Sequence, residues 1–171
     1  MKDEKRRAAS NRKACRAAVW VVTVFLACAA TAWVQPAQAK APPGRYSVSV
    51  SGLAVVDNWT KLEWQRGIAD ADKSWASAKT YCAGMNLDGK SGWRLPNVRE
   101  LHGITDPQEN APAIDATAFP GTPAGYVTGE FWSSTSVTSN TGWAWYLYFD
   151  NGGVFEKDFS LVRKVRCVRG G

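Results

Sequence analysis

The sequence predicts an α+β fold in which two short helices pack with antiparallel sheets. Three patterns support this. Apolar residues recur three and four positions apart from Lys73 to Met85, which predicts a helix. A second, shorter helix is predicted after Asn97, a residue type that caps helices well. The C-terminal third alternates apolar and polar residues around Asn151-Gly152, a strong hairpin signal.

The first 39 residues have the organisation of a cleaved secretory signal peptide. A basic region precedes an uncharged apolar run from Val19 to Val34, Pro36 breaks the run, and Ala37-Gln38-Ala39 follows as a cleavage site. An uncleaved anchor, which needs about 18 or more apolar residues, is one alternative. A lipoprotein anchor at Cys28 is another, although bulky Leu26 stands where a small residue is expected. The pattern favours export to the periplasm, the cell surface or the medium.

Basic charge is concentrated in this leader. The full sequence has 21 Lys and Arg against 15 Asp and Glu, a formal net charge of +6. Residues 1–39 contain seven of the basic and two of the acidic residues, which leaves 14 and 13 in the remainder. The high pI therefore does not indicate nucleic-acid binding. No membrane span is expected after cleavage of the leader.

The rest of the chain is predicted to form one domain. Residues 40–51 are assigned to a lead-in and a first strand, and residues 52–171 to a domain large enough for a hydrophobic core. Alternating residues predict a strand at Tyr46–Val50. Leu53–Asp57 and Leu62–Gln65 are predicted to form a hairpin.

The helix signals are local. Asp72 or Ser74 can cap the first helix. Asn97 is followed by Glu100 at the third helical position, which predicts a capping box. The segment from Asp106 to Tyr126 is rich in Pro, Gly, Ala and Thr, and we expect an irregular surface loop there.

The C-terminal part is predicted to contain four strands, at Glu130–Thr135, Gly142–Asp150, Val154–Phe159 and Leu161–Val168. Alternation in the second of these places Trp143, Trp145, Leu147 and Phe149 on one face, and Ala144, Tyr146, Tyr148 and Asp150 on the other. We expect the tryptophans of this region, Trp132, Trp143 and Trp145, to be buried.

Two cysteines, Cys82 and Cys167, follow the leader. An even number of cysteines in an exported chain predicts one disulfide. Two unpaired buried thiols are the alternative. A bridge would join the first helix to the last predicted strand and close most of the domain into one loop.

Few residues fit catalysis or metal binding. His102 is the only histidine, and no Ser or Cys near it lies in a nucleophile motif. The acidic residues lack the spacing of a paired acid and base. Asp150 and Asn151 carry oxygen ligands, but calcium needs about six to eight donors from several segments. The sequence therefore predicts no enzyme, no metal site and no cofactor.

A ligand-binding surface is the stronger hypothesis. Four side chains are placed together on the outer face of the C-terminal hairpin, namely Tyr146, Tyr148, Phe155 and Lys157. Aromatic faces stack on sugar rings and other planar ligands. The alternative is that the aromatic residues complete a small core.

A basic cluster is predicted near the C-terminus. Arg163, Lys164, Arg166 and Arg169 lie close together in an otherwise nearly neutral domain. Such a cluster can hold a sulfate or a carboxylate. A solvated strand edge that discourages aggregation explains it equally well.

Three stretches together resemble a known family. They are Val56–Arg66, Asn86–Leu101 with the run Trp-Arg-Leu-Pro-Asn-Val-Arg-Glu-Leu, and Phe131–Thr135 leading to Val165–Arg169. The sequence resembles the DUF1566 family, also called the C-terminal domain of the Legionella collagen-like protein. The resemblance covers nearly all of the predicted domain.

The resemblance implies a C-type lectin-like fold with a disulfide from a helix to the C-terminal strand. Arg94 and Glu100 resemble the family's recurrent pair, for which we expect a structural role. The resemblance to the named member implies an adhesin that binds sulfated glycosaminoglycans and forms trimers. No collagen-like Gly-X-Y stalk accompanies this domain, so trimer formation and adhesion do not carry over directly.

The sequence as a whole predicts an exported binding domain without catalytic activity. The expected partner is an anionic glycan, such as a sulfated polysaccharide, bound without calcium. The alternative is a structural or protein-interaction domain of the periplasm or cell surface. The oligomeric state is not predicted.

Overall fold

The computed structural model describes residues 41–171. It contains two helices and two antiparallel sheets joined by irregular segments, which confirms the predicted α+β fold class. The predicted signal peptide and the alternative anchor at Cys28 lie outside the described residues. Among residues 41–171, no helix has the length and apolar character needed to cross a membrane.

A five-stranded sheet joins the two ends of the domain. Its strands in spatial order are β1 (Tyr46–Val48), β2 (Ala54–Asp57), β3 (Glu63–Gln65), β8 (Val168–Arg169) and β4 (Trp93–Arg94), and all neighbours are antiparallel. The pair Val55 and Trp64, which face each other across β2 and β3, is fully buried. The predicted hairpin of β2 and β3 is therefore present, and its apolar face points into the core.

A three-stranded sheet carries the C-terminal hairpin. Its strands are β5 (Glu130–Ser136), β6 (Trp143–Tyr148) and β7 (Gly153–Asp158), in that spatial order. The turn between β6 and β7 contains Asn151-Gly152, as predicted. Gly152 has a φ of 78°, in the left-handed region that glycine adopts without a steric penalty.

The last predicted strand, Leu161–Val168, is wrong in extent. Regular pairing is confined to β8, and the preceding residues make only isolated bridges, Arg163 with Lys73 and Lys164 with Phe131. This segment crosses from one sheet to the other. It therefore cannot keep one strand partner along its length.

The two helices follow their local signals. The first, α1 (Trp75–Ala83), is capped by Ser74, one of the two predicted caps, and is shorter than predicted at both ends. The second, α2 (Val98–Gly103), is capped by Asn97 and shows both hydrogen bonds of the predicted capping box with Glu100.

The long segment after α2 is only partly a surface loop. It has no helix or strand between Asp106 and Tyr126, as predicted. Ile114, Ala118 and Phe119, however, are almost completely buried and belong to the main core cluster. The expectation of a surface excursion is therefore wrong for its middle part, because the segment closes one side of the core.

Both faces of the three-stranded sheet are covered along part of their length. Phe131, Leu147 and Phe149 point into one core cluster. Trp132, Ala144 and Tyr146 point into the other. The prediction that Trp132 is buried is confirmed. The same prediction is wrong for Trp143 and Trp145, which are only half-buried. They share a face with Leu147, but the core cluster on that face does not extend to their end of β6.

The predicted disulfide is present and joins Cys82 of α1 to Cys167, the residue before β8. Both cysteines are fully buried in the second core cluster. The bridge confirms the predicted link between the first helix and the C-terminal segment. The more specific expectation of a C-type lectin-like fold stays a prediction.

Candidate functional site

Four aromatic residues form two contacting pairs near the end of the C-terminal hairpin. Tyr146 faces Phe155 across β6 and β7, and Tyr148 lies two residues further along the same face. The ring centroids of Tyr146 and Phe155 are 5.9 Å apart, and those of Tyr126 and Tyr148 are 6.4 Å apart. We call Tyr126, Tyr146, Tyr148 and Phe155 the aromatic surface.

The members of this surface differ in exposure. Tyr146 is only 6% exposed, and its ring packs edge-on against buried Trp132. Phe155 is 48% exposed and Tyr126 is 85% exposed. Tyr146 is therefore the buried member of the aromatic surface, whereas Phe155 and Tyr126 present their rings to solvent.

Tyr126 was not among the predicted site residues. It lies in the irregular segment before β5, where no periodicity indicates which side chains come together. A backbone hydrogen bond from Gly129 to Gly125 closes this part of the loop and brings Tyr126 to Tyr148. The only local signal was an aromatic residue among glycines immediately before a strand.

Burial shapes the acid–base behaviour of the tyrosines. Burial and the nearby carboxylate of Glu130 raise the pKa of Tyr146. Partial burial and the carboxylate of Asp150 raise the pKa of Tyr148. Both hydroxyls therefore stay protonated at neutral pH and can donate hydrogen bonds.

Lys157 is the exposed basic residue of this face. It lies on β7 two positions from Phe155, on the same face, and is paired in the strand register with buried Ala144. Among the described residues it makes no ion pair with a carboxylate. It is therefore available to an acidic group on a ligand.

The predicted basic cluster does not form a single surface patch. Lys164 pairs with Asp72 at 2.5 Å, and Arg169 pairs with Glu63 at 2.8 Å. Arg163 is 8% exposed, and its Nε lies 2.8 Å from a carboxylate oxygen of Glu130. These three cations are therefore already neutralised by carboxylates of the domain.

Arg166, the fourth member, is completely buried. Its guanidinium carbon lies 4.8 Å from the ring centroid of Phe119 and within 6 Å of two other phenylalanine rings. It donates to the backbone oxygens of Gly67 and Arg66 and to the hydroxyl of Thr122. Burial lowers the pKa of Arg166 to about 9, so the side chain remains charged at neutral pH. It cannot contact a ligand from solvent, which corrects its place among the candidate residues.

The Arg94–Glu100 pair has the structural geometry expected of it. The two side chains make two parallel hydrogen bonds, at 2.8 and 2.7 Å. Arg94 also donates to the backbone oxygen of Gly170, and Glu100 accepts from the backbone of Asn97. The pair thus ties the start of α2 to the C-terminal end of the chain.

His102 is an exposed residue of α2, on the rim of an open pocket of about 290 Å³ that Asp106 and Asn151 also line. One oxygen of Asp106 is buried there without a hydrogen-bond partner. In residues 41–171, no three His, Cys, Asp or Glu side chains come close enough to hold a metal ion.

Comparison with known proteins places the domain in a family. The model of the Lcl C-terminal domain matches residues 53–169, which is more than half of the chain. No curated protein matches the sequence. The match includes both sheets from β2 onward, the disulfide and the Arg94–Glu100 pair. The chain therefore belongs to the Lcl C-terminal domain family.

Proposed function

We propose that this protein is an extracytoplasmic binding domain that holds a glycan on its aromatic surface, without calcium and without catalysis. The family and the buried disulfide point to an extracytoplasmic protein. The observation that carries the binding proposal is the exposure of Tyr126 and Phe155 on the same hairpin surface as Tyr148. Aromatic rings with polar neighbours are typical of sugar-binding surfaces.

The predicted preference for an anionic glycan rests on Lys157. Arg163, Lys164 and Arg169 are paired with carboxylates, and Arg166 is enclosed by the core. An acidic group on the glycan would therefore meet one free ammonium group. Tyrosine hydroxyls and the side chain of Asn151 would contact the sugar hydroxyls.

A protein-interaction role is the second candidate. Val48, Val50 and Leu53 are at least 46% exposed around the turn between β1 and β2. β1 is also an edge strand of its sheet, so one side of its backbone is free to pair. These features favour a protein partner that binds at β1 and the turn after it, and not at the aromatic surface.

The first experiment is a glycan array with the purified, oxidised protein, in calcium and again in EDTA. We expect binding that survives EDTA and that falls at least tenfold in Tyr148→Ala, because this ring lies between Tyr126 and the Tyr146–Phe155 pair. Trp59→Ala removes a more exposed ring from the turn between β2 and β3 and should leave binding unchanged. Loss of binding in EDTA would overturn the metal-free mode. A folded protein that binds no glycan would favour the protein-partner role.

A further inference from the structure

Side-chain atoms of two neighbouring residues lie close to the backbone of Gly153, at the start of β7. A methyl group on Gly153 would lie 2.7 Å from Cε2 of Phe155 and 3.0 Å from Oδ1 of Asn151. Carbon atoms that are not bonded pack best at about 3.5–4.0 Å. The phenyl ring and the amide therefore occupy the space that any larger residue would take.

The absence of a side chain at Gly153 leaves room for both neighbours. The Phe155 ring leans back along β7 over the glycine backbone, towards the position opposite Tyr148. Oδ1 of Asn151 accepts a 2.9 Å hydrogen bond from the backbone nitrogen of Gly153. This bond orients the amide, and its NH2 group has two hydrogens that can be donated. A flat ring and a directed donor are thus held side by side.

We propose that Phe155, Asn151 and Gly153 form a subsite for one neutral sugar ring, in which Phe155 stacks on the apolar face of the sugar and Asn151 donates to a hydroxyl. Gly153 is the positioning residue of this subsite. The inference rests on the proposed glycan-binding function and specifies which part of the glycan the surface recognises.

The charges around the subsite favour a neutral ring. Arg163, which lies over the Tyr146 ring, is neutralised by Glu130. Asp150, in the turn between β6 and β7, adds a negative charge beside Tyr148. Asp150 would therefore repel a sulfate or carboxylate on the turn side of the stacked sugar. Lys157 lies along β7 on the other side of Phe155 from Gly153, where it would meet an acidic group on a neighbouring sugar of the same glycan.

The subsite can be tested by NMR titration of the purified, oxidised protein with a neutral β-linked glucose tetramer and with a glucuronate tetramer. We expect the neutral tetramer to shift the backbone signals of residues 151–155, with an affinity that changes less than twofold between low and high salt. Stacking and neutral hydrogen bonds are only weakly screened by ions.

Gly153→Ala should weaken this binding at least tenfold, because the methyl group displaces the Phe155 ring and the Asn151 amide. Gly103→Ala is the matched control, since a methyl group there meets no atom within 4 Å. Phe155→Leu provides a second test if Gly153→Ala distorts the hairpin. It keeps an apolar side chain but removes the flat ring, and the expected loss is again at least tenfold.

The outcomes separate the subsite from the wider proposal. Neutral binding that is lost in both hairpin variants supports the subsite. Glycan binding that is unaffected by Phe155→Leu, or that requires the charged tetramer, overturns the subsite but leaves the glycan-binding function standing. No binding of either tetramer, together with a silent glycan array, overturns both.

Discussion

Arg166 shows how a basic residue can serve the core and not the surface. It is fully buried, and no carboxylate pairs with it among the described residues. Burial of a charge is costly, and hydrogen bonds and aromatic faces must offset the cost. Here Gly67, Thr122 and the ring of Phe119 surround the guanidinium. The side chain thus connects the segment after β3 with the long loop.

Arg166→Lys should lower the free energy of unfolding by about 2–4 kcal/mol, as expected for a buried polar network that loses its geometry. A lysine ammonium is compact and cannot span the same acceptors as the planar guanidinium. Urea denaturation of the oxidised protein measures the change. The exposed Arg99→Lys on α2 is the control and should stay within 0.5 kcal/mol, roughly the range of surface substitutions. A similarly small change in Arg166→Lys would show that the network contributes little.

At the scale of secondary-structure elements, α2 is a short helix that depends on its ends. Six residues are too few for a stable isolated helix, so the capping box and the Arg94 pair have to hold it in place. Glu100 takes part in both, since it accepts from the Asn97 backbone and from the Arg94 guanidinium. Burial opposes ionisation, but these hydrogen bonds and the charge of Arg94 hold the pKa of Glu100 below its ordinary value.

The lowered pKa of Glu100 predicts a pH-dependent contribution to stability. A carboxyl group whose pKa is lower in the folded state stabilises the fold above its unfolded pKa, and this contribution is lost as the pH falls through the folded pKa. Glu100→Gln should therefore cost about 1 kcal/mol at pH 7, allowing for partial solvent screening. The difference from the wild type should shrink below about pH 4, near the ordinary pKa of a glutamate.

Thermal unfolding of both proteins between pH 7 and pH 3 measures this difference. A matched variant is Glu109→Gln, which removes a carboxylate that makes no ion pair within residues 41–171. Its effect should be small at every pH. A cost of Glu100→Gln that stays constant down to pH 3 would show that the charge of Glu100 is not what stabilises α2.

On the scale of the whole molecule, the disulfide joins the two parts of the chain that the folding topology brings together. It links residues 85 positions apart and lies in the core cluster next to the three-stranded sheet. In the chain-entropy model, a loop of this length stabilises the fold by about 4–5 kcal/mol. Because both cysteines are fully buried, a reductant has to wait for the chain to open.

In urea, the double variant Cys82→Ala/Cys167→Ala should accordingly lose about 4–5 kcal/mol of unfolding free energy. The loss is smaller if the unfolded chain retains structure. Reductant should lower the stability of the wild type to a similar level and leave the double variant unchanged. Equal stability of wild type and double variant would show that the closed loop does not stabilise the fold by reducing the conformational entropy of the unfolded chain.

The local features of this protein were predictable from short stretches of sequence. The Asn97 capping box, the Asn151-Gly152 turn and the pairing of two cysteines each depend on a few residues, whose chemistry favours one geometry. The family resemblance likewise lay in short motifs, and the match over residues 53–169 confirmed it.

The candidate site was predictable only in part. Tyr146, Tyr148 and Phe155 were placed together correctly, because strand alternation and a two-residue turn determine which side chains share a face. The exposure of these side chains was not predictable, because Tyr146 is covered by Trp132 and Arg163 from other parts of the chain. Tyr126 was missed because a loop has no period from which its position can be inferred.

The sequence by itself determined the α+β class, the capped helices, the hairpin and the family. Only the tertiary structure decided which charges and rings reach solvent. It buried Arg163 and Arg166, left Trp143 and Trp145 half-exposed, and added Tyr126 to the aromatic surface. The physical reason is that burial depends on what packs against each face of a strand. Here both faces of the three-stranded sheet pack against segments that are distant in the sequence.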